Sequence, residues 1–148
     1  MKQRLACIFC TALCTLAFSA PAYLVTPEEM HASNDAPLQI SPRASPMKDA
    51  PLIEVITPKL PGSVSSPTPI DLKFQAIAPS NVKPESFKAL YGTFQIDITK
   101  RLLSVAKVTE TGVQVQDATL PKGRHKILLL IEDSAGRPGS RMLEFDVQ

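Results

Sequence analysis

The feature that most constrains this chain is a set of short segments in which apolar and polar residues alternate one by one. Ile70-Asp71-Leu72-Lys73-Phe74-Gln75-Ala76 is the clearest of them. Ile70, Leu72, Phe74 and Ala76 point to one side, and Asp71, Lys73 and Gln75 to the other. A period of two belongs to a strand with one buried face, whereas a helix repeats every 3.6 residues. The same alternation runs through Thr93 to Ile98, Val113 to Gln116 and Arg141 to Val147. Leu52 to Ile56, Phe87 to Tyr91 and Arg124 to Glu132 are further strand candidates. Between them lie turn signals: Thr57-Pro58, Pro61-Gly62-Ser63, Ser66-Pro67-Thr68-Pro69 and Gly92. About seven strands at this spacing predict an all-β antiparallel sandwich. Parallel α/β architecture would need helices between the strands, and these connections are too short for them. One short helical turn is expected over Thr99 to Ala106, capped by Asp97 or Thr99, with Leu102, Leu103 and Ala106 as its apolar face.

Proline and glycine are distributed unevenly. Ten of the fourteen prolines lie between Pro21 and Pro69, and all six glycines lie at Gly62 or beyond. The chain accordingly divides into three parts. Residues 1-22 read as a signal peptide: Lys2 and Arg4 are the positive start, Leu5 to Phe18 the apolar run, and Ala20-Pro21-Ala22 the small-residue site, with cleavage after Ala22. The run is too short to span a bilayer, so no stable membrane span is expected after cleavage. Cys7, Cys10 and Cys14 all fall inside it, in contexts that do not suit lipidation. The mature chain therefore has no thiol for a disulfide, a nucleophile or a metal. Residues 23-50, with Pro27, Pro37, Pro42 and Pro46, read as an extended, mobile leader. Residues 51-148 carry the strands. Removing Lys2 and Arg4 leaves fourteen basic and fourteen acidic residues, so no basic field exists to bind nucleic acid. A periplasmic or secreted protein is expected.

The most specific stretch is Leu120-Pro121-Lys122-Gly123-Arg124-His125, running into an alternating strand that ends at Asp133-Ser134-Ala135-Gly136. It resembles the E–F corner, F strand and F–G turn of bacterial immunoglobulin-like domains. Ile56-Thr57-Pro58, Pro61-Gly62 and Ile70 to Ala76 resemble the A–B part of the same domains. The resemblance implies an immunoglobulin-like sandwich over residues 51 to 148. It implies structural roles for Leu120, Gly123, His125, Asp133 and Gly136 at the corner and turn, and says little of activity. Gly123 suits a positive backbone angle, His125 stands where such domains place a tyrosine that bonds the corner backbone, and Asp133 suits a turn closed by Gly136.

No catalytic constellation is visible. There is no Gly-x-Ser-x-Gly elbow, no phosphate-binding glycine loop and no paired carboxylates. Asp133 lacks the companion acidic residues that calcium wants. Met30, His31, Met47 and His125 are the candidates for a copper-carrier reading, and they are scattered where soft-ligand sites cluster. The sequence thus predicts no enzyme and no cofactor. It predicts a binding or structural module for an envelope protein or polysaccharide, with a small copper carrier as the alternative and a hydrolase with an unrecognised site as a third reading.

One feature exceeds the bland pattern. If His125, Ile127, Leu129 and Ile131 face inward, Leu128 and Leu130 face out. Packing Leu143 and Phe145 inward turns Met142 out, and Leu90 points the same way from a third strand. Four large apolar side chains on one outer face need a cause. Two are available: cover by Ile98, Leu102 and Leu103 of the helical turn, or docking of a partner. Burying four such side chains is worth about 6–10 kcal/mol at the upper bound.

Overall fold

The computed structural model describes residues 23–37, 48–60 and 62–148. The signal-peptide reading of residues 1-22 lies outside the described residues. Nine strands and two helices are present among those described. In chain order they are α1 (Pro27–Asp35), β1 (Leu52–Thr57), β2 (Ser63–Val64), β3 (Thr68–Gln75), β4 (Val82–Tyr91), β5 (Ile96–Asp97), α2 (Thr99–Val105), β6 (Ala106–Thr109), β7 (Gly112–Ala118), β8 (Gly123–Asp133) and β9 (Pro138–Val147).

The strands make two sheets, a four-stranded one in the order β1-β3-β7-β6 and a five-stranded one in the order β2-β9-β8-β4-β5. Every pairing is antiparallel except β2 with β9, which run parallel. With β1, β3, β4, β6, β7, β8 and β9 taken as strands A to G, the first sheet is A-B-E-D and the second holds C, F and G, with β5 added beside C. That is the strand order of an immunoglobulin-like sandwich. The chain is therefore an all-β protein of immunoglobulin-like fold.

Alternation builds the core as the sequence requires. Ile53, Leu72, Phe74, Val113 and Val115 from one sheet meet Phe87, Ala89, Tyr91, Ile127, Leu129, Ile131, Leu143, Phe145 and Val147 from the other. Phe74 and Phe87 bridge the layers with ring centroids 5.8 Å apart.

Four expectations need correction. The segment Thr93 to Ile98 is not one alternating strand. Gly92 at φ 69° and Gln95 at φ 51° fold it into a turn, Phe94 is 56% exposed, and β5 is two residues long. Strand β6, which follows the helix directly, escaped the reading because Ala-Lys-Val-Thr is too short to show a period. The extended leader does not describe residues 23–37. Thr26-Pro27-Glu28-Glu29 is a capping box: Thr26 Oγ1 accepts from the Glu29 amide at 3.2 Å, and Glu29 Oε2 accepts from the Thr26 amide at 2.9 Å. Pro27 occupies the first turn, where its missing N–H costs nothing. Leu24, Val25 and Met30 are buried. Each side chain so buried contributes roughly 1.5–3 kcal/mol, and a nine-residue helix needs such support to form. Helix α1 thereby closes the base of the sandwich, between the start of β8 and α2.

The fourth correction concerns α2. Its first amide is held by Asp97, whose Oδ1 accepts from Thr99 N at 2.8 Å. Ile98 and Leu102 turn into the core, and α2 packs on β4, β6 and β7, bridging the two sheets at one edge. Leu103 is 45% exposed. The helix therefore lies away from the outer positions of β8 and β9 and does not supply the cover considered for them.

Candidate functional site

The corner before β8 is built around a buried polar array. Leu120 is buried and its amide donates to Ser66 Oγ at 2.9 Å. Gly123 adopts φ 132°, and a Cβ there would approach Met30 Sδ of α1 to 2.9 Å. His125 is 1% exposed, stacked on Phe145 with centroids 5.6 Å apart. Its ring bridges two partners: Nε2 lies 2.8 Å from the Pro121 carbonyl oxygen, and Nδ1 lies 2.9 Å from the Tyr91 hydroxyl. A carbonyl only accepts, so Nε2 carries the hydrogen and Nδ1 accepts from Tyr91. Burial pushes the imidazole below its ordinary range, against the pull of the Pro121 carbonyl and the Asp146 charge. Burial, together with the Glu29 charge, pushes the Tyr91 hydroxyl up to about 12. Tyr91 is the partner that sequence reasoning missed; its inward position on β4 was the available signal.

At the opposite end, Asp133 is filled by its own turn. Oδ1 accepts from the amides of Ala135 at 3.0 Å and Arg137 at 2.9 Å. Oδ2 accepts from Arg137 Nε at 2.7 Å and lies 2.7 Å from its Nη2. Gly136, at φ 75°, donates its amide to the Asp133 carbonyl at 2.9 Å. Arg137 also reaches Ser80 Oγ at 3.0 Å and Asp49 at 3.9 Å. Burial raises the Asp133 carboxyl, but the amide and guanidinium of Arg137 and the Ala135 amide outweigh it and hold it below the usual carboxylate range. A guanidinium thus sits where a calcium ion would have to bind.

The copper candidates are not brought together. Met30 is buried against Gly123, and His31 is exposed on α1. His125 has both nitrogens engaged, and Met47 lies outside the described residues. Among the described residues no three His, Cys, Asp or Glu side chains are grouped to hold a metal.

The outer face of the five-stranded sheet is where the sequence-derived residues do meet. Leu90 pairs with Leu128, and Leu128 with Met142, so three apolar side chains form one row across β4, β8 and β9. Leu130, two residues along β8, lies between Lys88 and Ser140. Leu90, Leu128 and Leu130 are half-buried, and Met142 is 44% exposed. Charge borders the row. Lys126 and Glu144 pair on its lower side at 3.5 Å, Lys88 stands above, and Asp97 lies beside Leu90. In the other sheet the outward positions of β3, β7 and β6 are polar, with Asp71, Lys73 and Gln75, Gln114 and Gln116, and Lys107, whereas its edge strand β1 exposes Leu52 and Ile56.

No protein-family model and no curated protein matches this chain. Among solved structures, CopC from Methylosinus trichosporium OB3b is similar, with a TM-score of 0.44 and 15% identity over 66% of this chain and 94% of that one. Murine CRIg is similar with a TM-score of 0.35 and 11% identity, over 66% of this chain and 96% of that one. The immunoglobulin-like assignment follows from strand order and register. No described helix is long and apolar enough to cross a membrane.

Proposed function

We propose that this chain is an exported, non-enzymatic binding or structural module, acting in the periplasm or outside the cell. It contacts an envelope protein or polysaccharide through the outer face of its five-stranded sheet. The observation that carries this reading is the row Leu90, Leu128 and Met142 with Leu130 beside it. An apolar centre inside a charged rim is the anatomy of an association surface, and here the apolar side chains occupy the middle of the sheet, whereas on the other sheet the exposed Leu52 and Ile56 lie only on the edge strand β1.

The test compares the protein with a Leu128→Lys, Met142→Lys double variant. Both positions face outward, so the variant retains the fold and its thermal midpoint. Envelope material captured by the parent protein is lost with the variant, and resonance changes on adding the captured partner centre on Leu90, Leu128, Leu130 and Met142. Capture that survives the double substitution overturns the reading.

A further inference from the structure

His125 and Tyr91 are locked in one arrangement by their hydrogen-bond grammar. Nε2 must donate to Pro121, so Nδ1 is left to accept from the Tyr91 hydroxyl. A second proton, on Nδ1, would face the hydroxyl hydrogen. Tyr91 would then have to turn that hydrogen away, and both rings are 1% exposed. A charged imidazole here calls for water, and water needs an opening.

Helix α1 is the element that closes this region. Two positive-φ glycines flank the pair: Gly92 follows Tyr91, and Gly123 precedes His125 by two residues on the same face of β8. The space above each is filled from α1. A Cβ on Gly92 would run into Ser33 Oγ, and one on Gly123 would meet Met30 Sδ. Ser33 also accepts from the Thr93 amide at 3.1 Å. Removing α1 breaks no sheet pairing, whereas β8 is paired on both sides, with β4 and β9. The cheapest opening is therefore at the helix.

Among the described residues, the acidic groups that act on the pair are Asp146 on β9 and Glu29 on α1, and Arg101 of α2 holds Glu29. Arg124 and Lys126, the neighbours of His125 on β8, have exposed side chains. The Arg101 guanidinium keeps the Glu29 carboxyl below its ordinary range, so Glu29 stays ionised at mildly acidic pH.

We propose that mild acidification undocks helix α1 from the base of the sandwich while both sheets stay paired, His125 being the group that takes the proton. The test is amide hydrogen exchange of the whole chain at about pH 7.5 and about pH 5.5, on either side of the ordinary histidine value, with rates corrected for intrinsic exchange. Protection over residues 24–35 falls several-fold, up to about tenfold, at the lower pH, the ceiling for one histidine of ordinary value about 6.5 that takes its proton only in the undocked state. Protection over 123–133 and 138–147 holds, as does the far-ultraviolet dichroism of the sheets. His125→Gln removes the response and His31→Gln, on the exposed side of α1, keeps it. Tyr91→Phe, which deletes the opposing hydrogen and lets the docked state take the proton more readily, shrinks the response and serves if His125→Gln does not fold. Equal protection at both pH values, loss of helix and strands together, or loss of the response in His31→Gln overturns the proposal.

Discussion

Arg101 grips both carboxylate oxygens of Glu29, with Nη1 2.6 Å from Oε2 and Nη2 2.7 Å from Oε1. The pair ties the two helices together across the base of the sandwich, and it shares Glu29 with the capping box of α1. Its two members are therefore unequal. Arg101→Ala removes an ion pair whose arginine side chain is 42% exposed, with a long 3.4 Å bond to the Leu24 carbonyl, so the loss is under about 1 kcal/mol once solvent screening is counted. Glu29→Ala removes the same pair and the bond to the Thr26 amide, for a loss of about 1–2 kcal/mol. Urea denaturation of the two variants at low salt checks the order.

Two positive-φ glycines at opposite ends of the sandwich give a second contrast. Gly92 and Gly136 both have positive φ, 69° and 75°. Alanine at Gly136 meets nothing within 4 Å, so it carries the backbone cost alone, about 1–2 kcal/mol. Alanine at Gly92 carries the same backbone cost and in addition collides with Ser33. Gly92→Ala is expected to be clearly the more destabilising by thermal denaturation. It should also loosen α1, read as lost amide protection at Met30, which donates to the Thr26 carbonyl.

These relationships show how much was readable from sequence and why the rest was not. The alternation of Ile70 to Ala76 and the corner Leu120 to His125 each carried their structure locally, since period and turn chemistry are properties of neighbouring residues. The outer row was legible for the same reason: fixing the inward face of a strand fixes its outward face. What stayed hidden depended on distance. Tyr91 meets His125 from 34 positions away, and Arg101 meets Glu29 from 72. Thr26 and Glu29 spell a capping box for helix α1, but the surrounding prolines mask it, since proline breaks a helix everywhere except the first turn, where Pro27 stands. The destination of α2 is not local information: Ile98 and Leu102 need burial, and sequence does not say under which face.

Metal addition separates the binding-module reading from the copper-carrier alternative. His125 can ligate a metal only by giving up a buried hydrogen bond to Tyr91 or Pro121, and the Asp133 oxygens are occupied by Arg137. Adding copper or calcium is therefore expected to leave the thermal midpoint unchanged. A ligand that binds the native state at a hundred times its dissociation constant adds about 2.7 kcal/mol, so even modest specific binding would register as a higher midpoint. Such a rise would favour the carrier.

Asp133 sets the stability of the upper end at strongly acid pH. Its carboxyl is held below the unfolded value of about 3.9 by the Arg137 and Ala135 donors. A carboxylate whose folded value is depressed stabilises the native state fully above the unfolded value, and that contribution disappears as pH falls through the folded value. The denaturation midpoint of the parent protein should therefore drop steeply below about pH 4. Asp133→Asn should be less stable at neutral pH, since a neutral amide presents one acceptor to the donors that now share two oxygens. It should also have a flatter acid limb, because the titrating group is gone. This window lies well below the one in which His125 changes charge, so the two are separable in one pH series: the helix responds first, near the histidine range, and the Asp133 turn later. A parent and an Asp133→Asn variant with acid limbs of equal slope would mean that another carboxylate governs the acid transition.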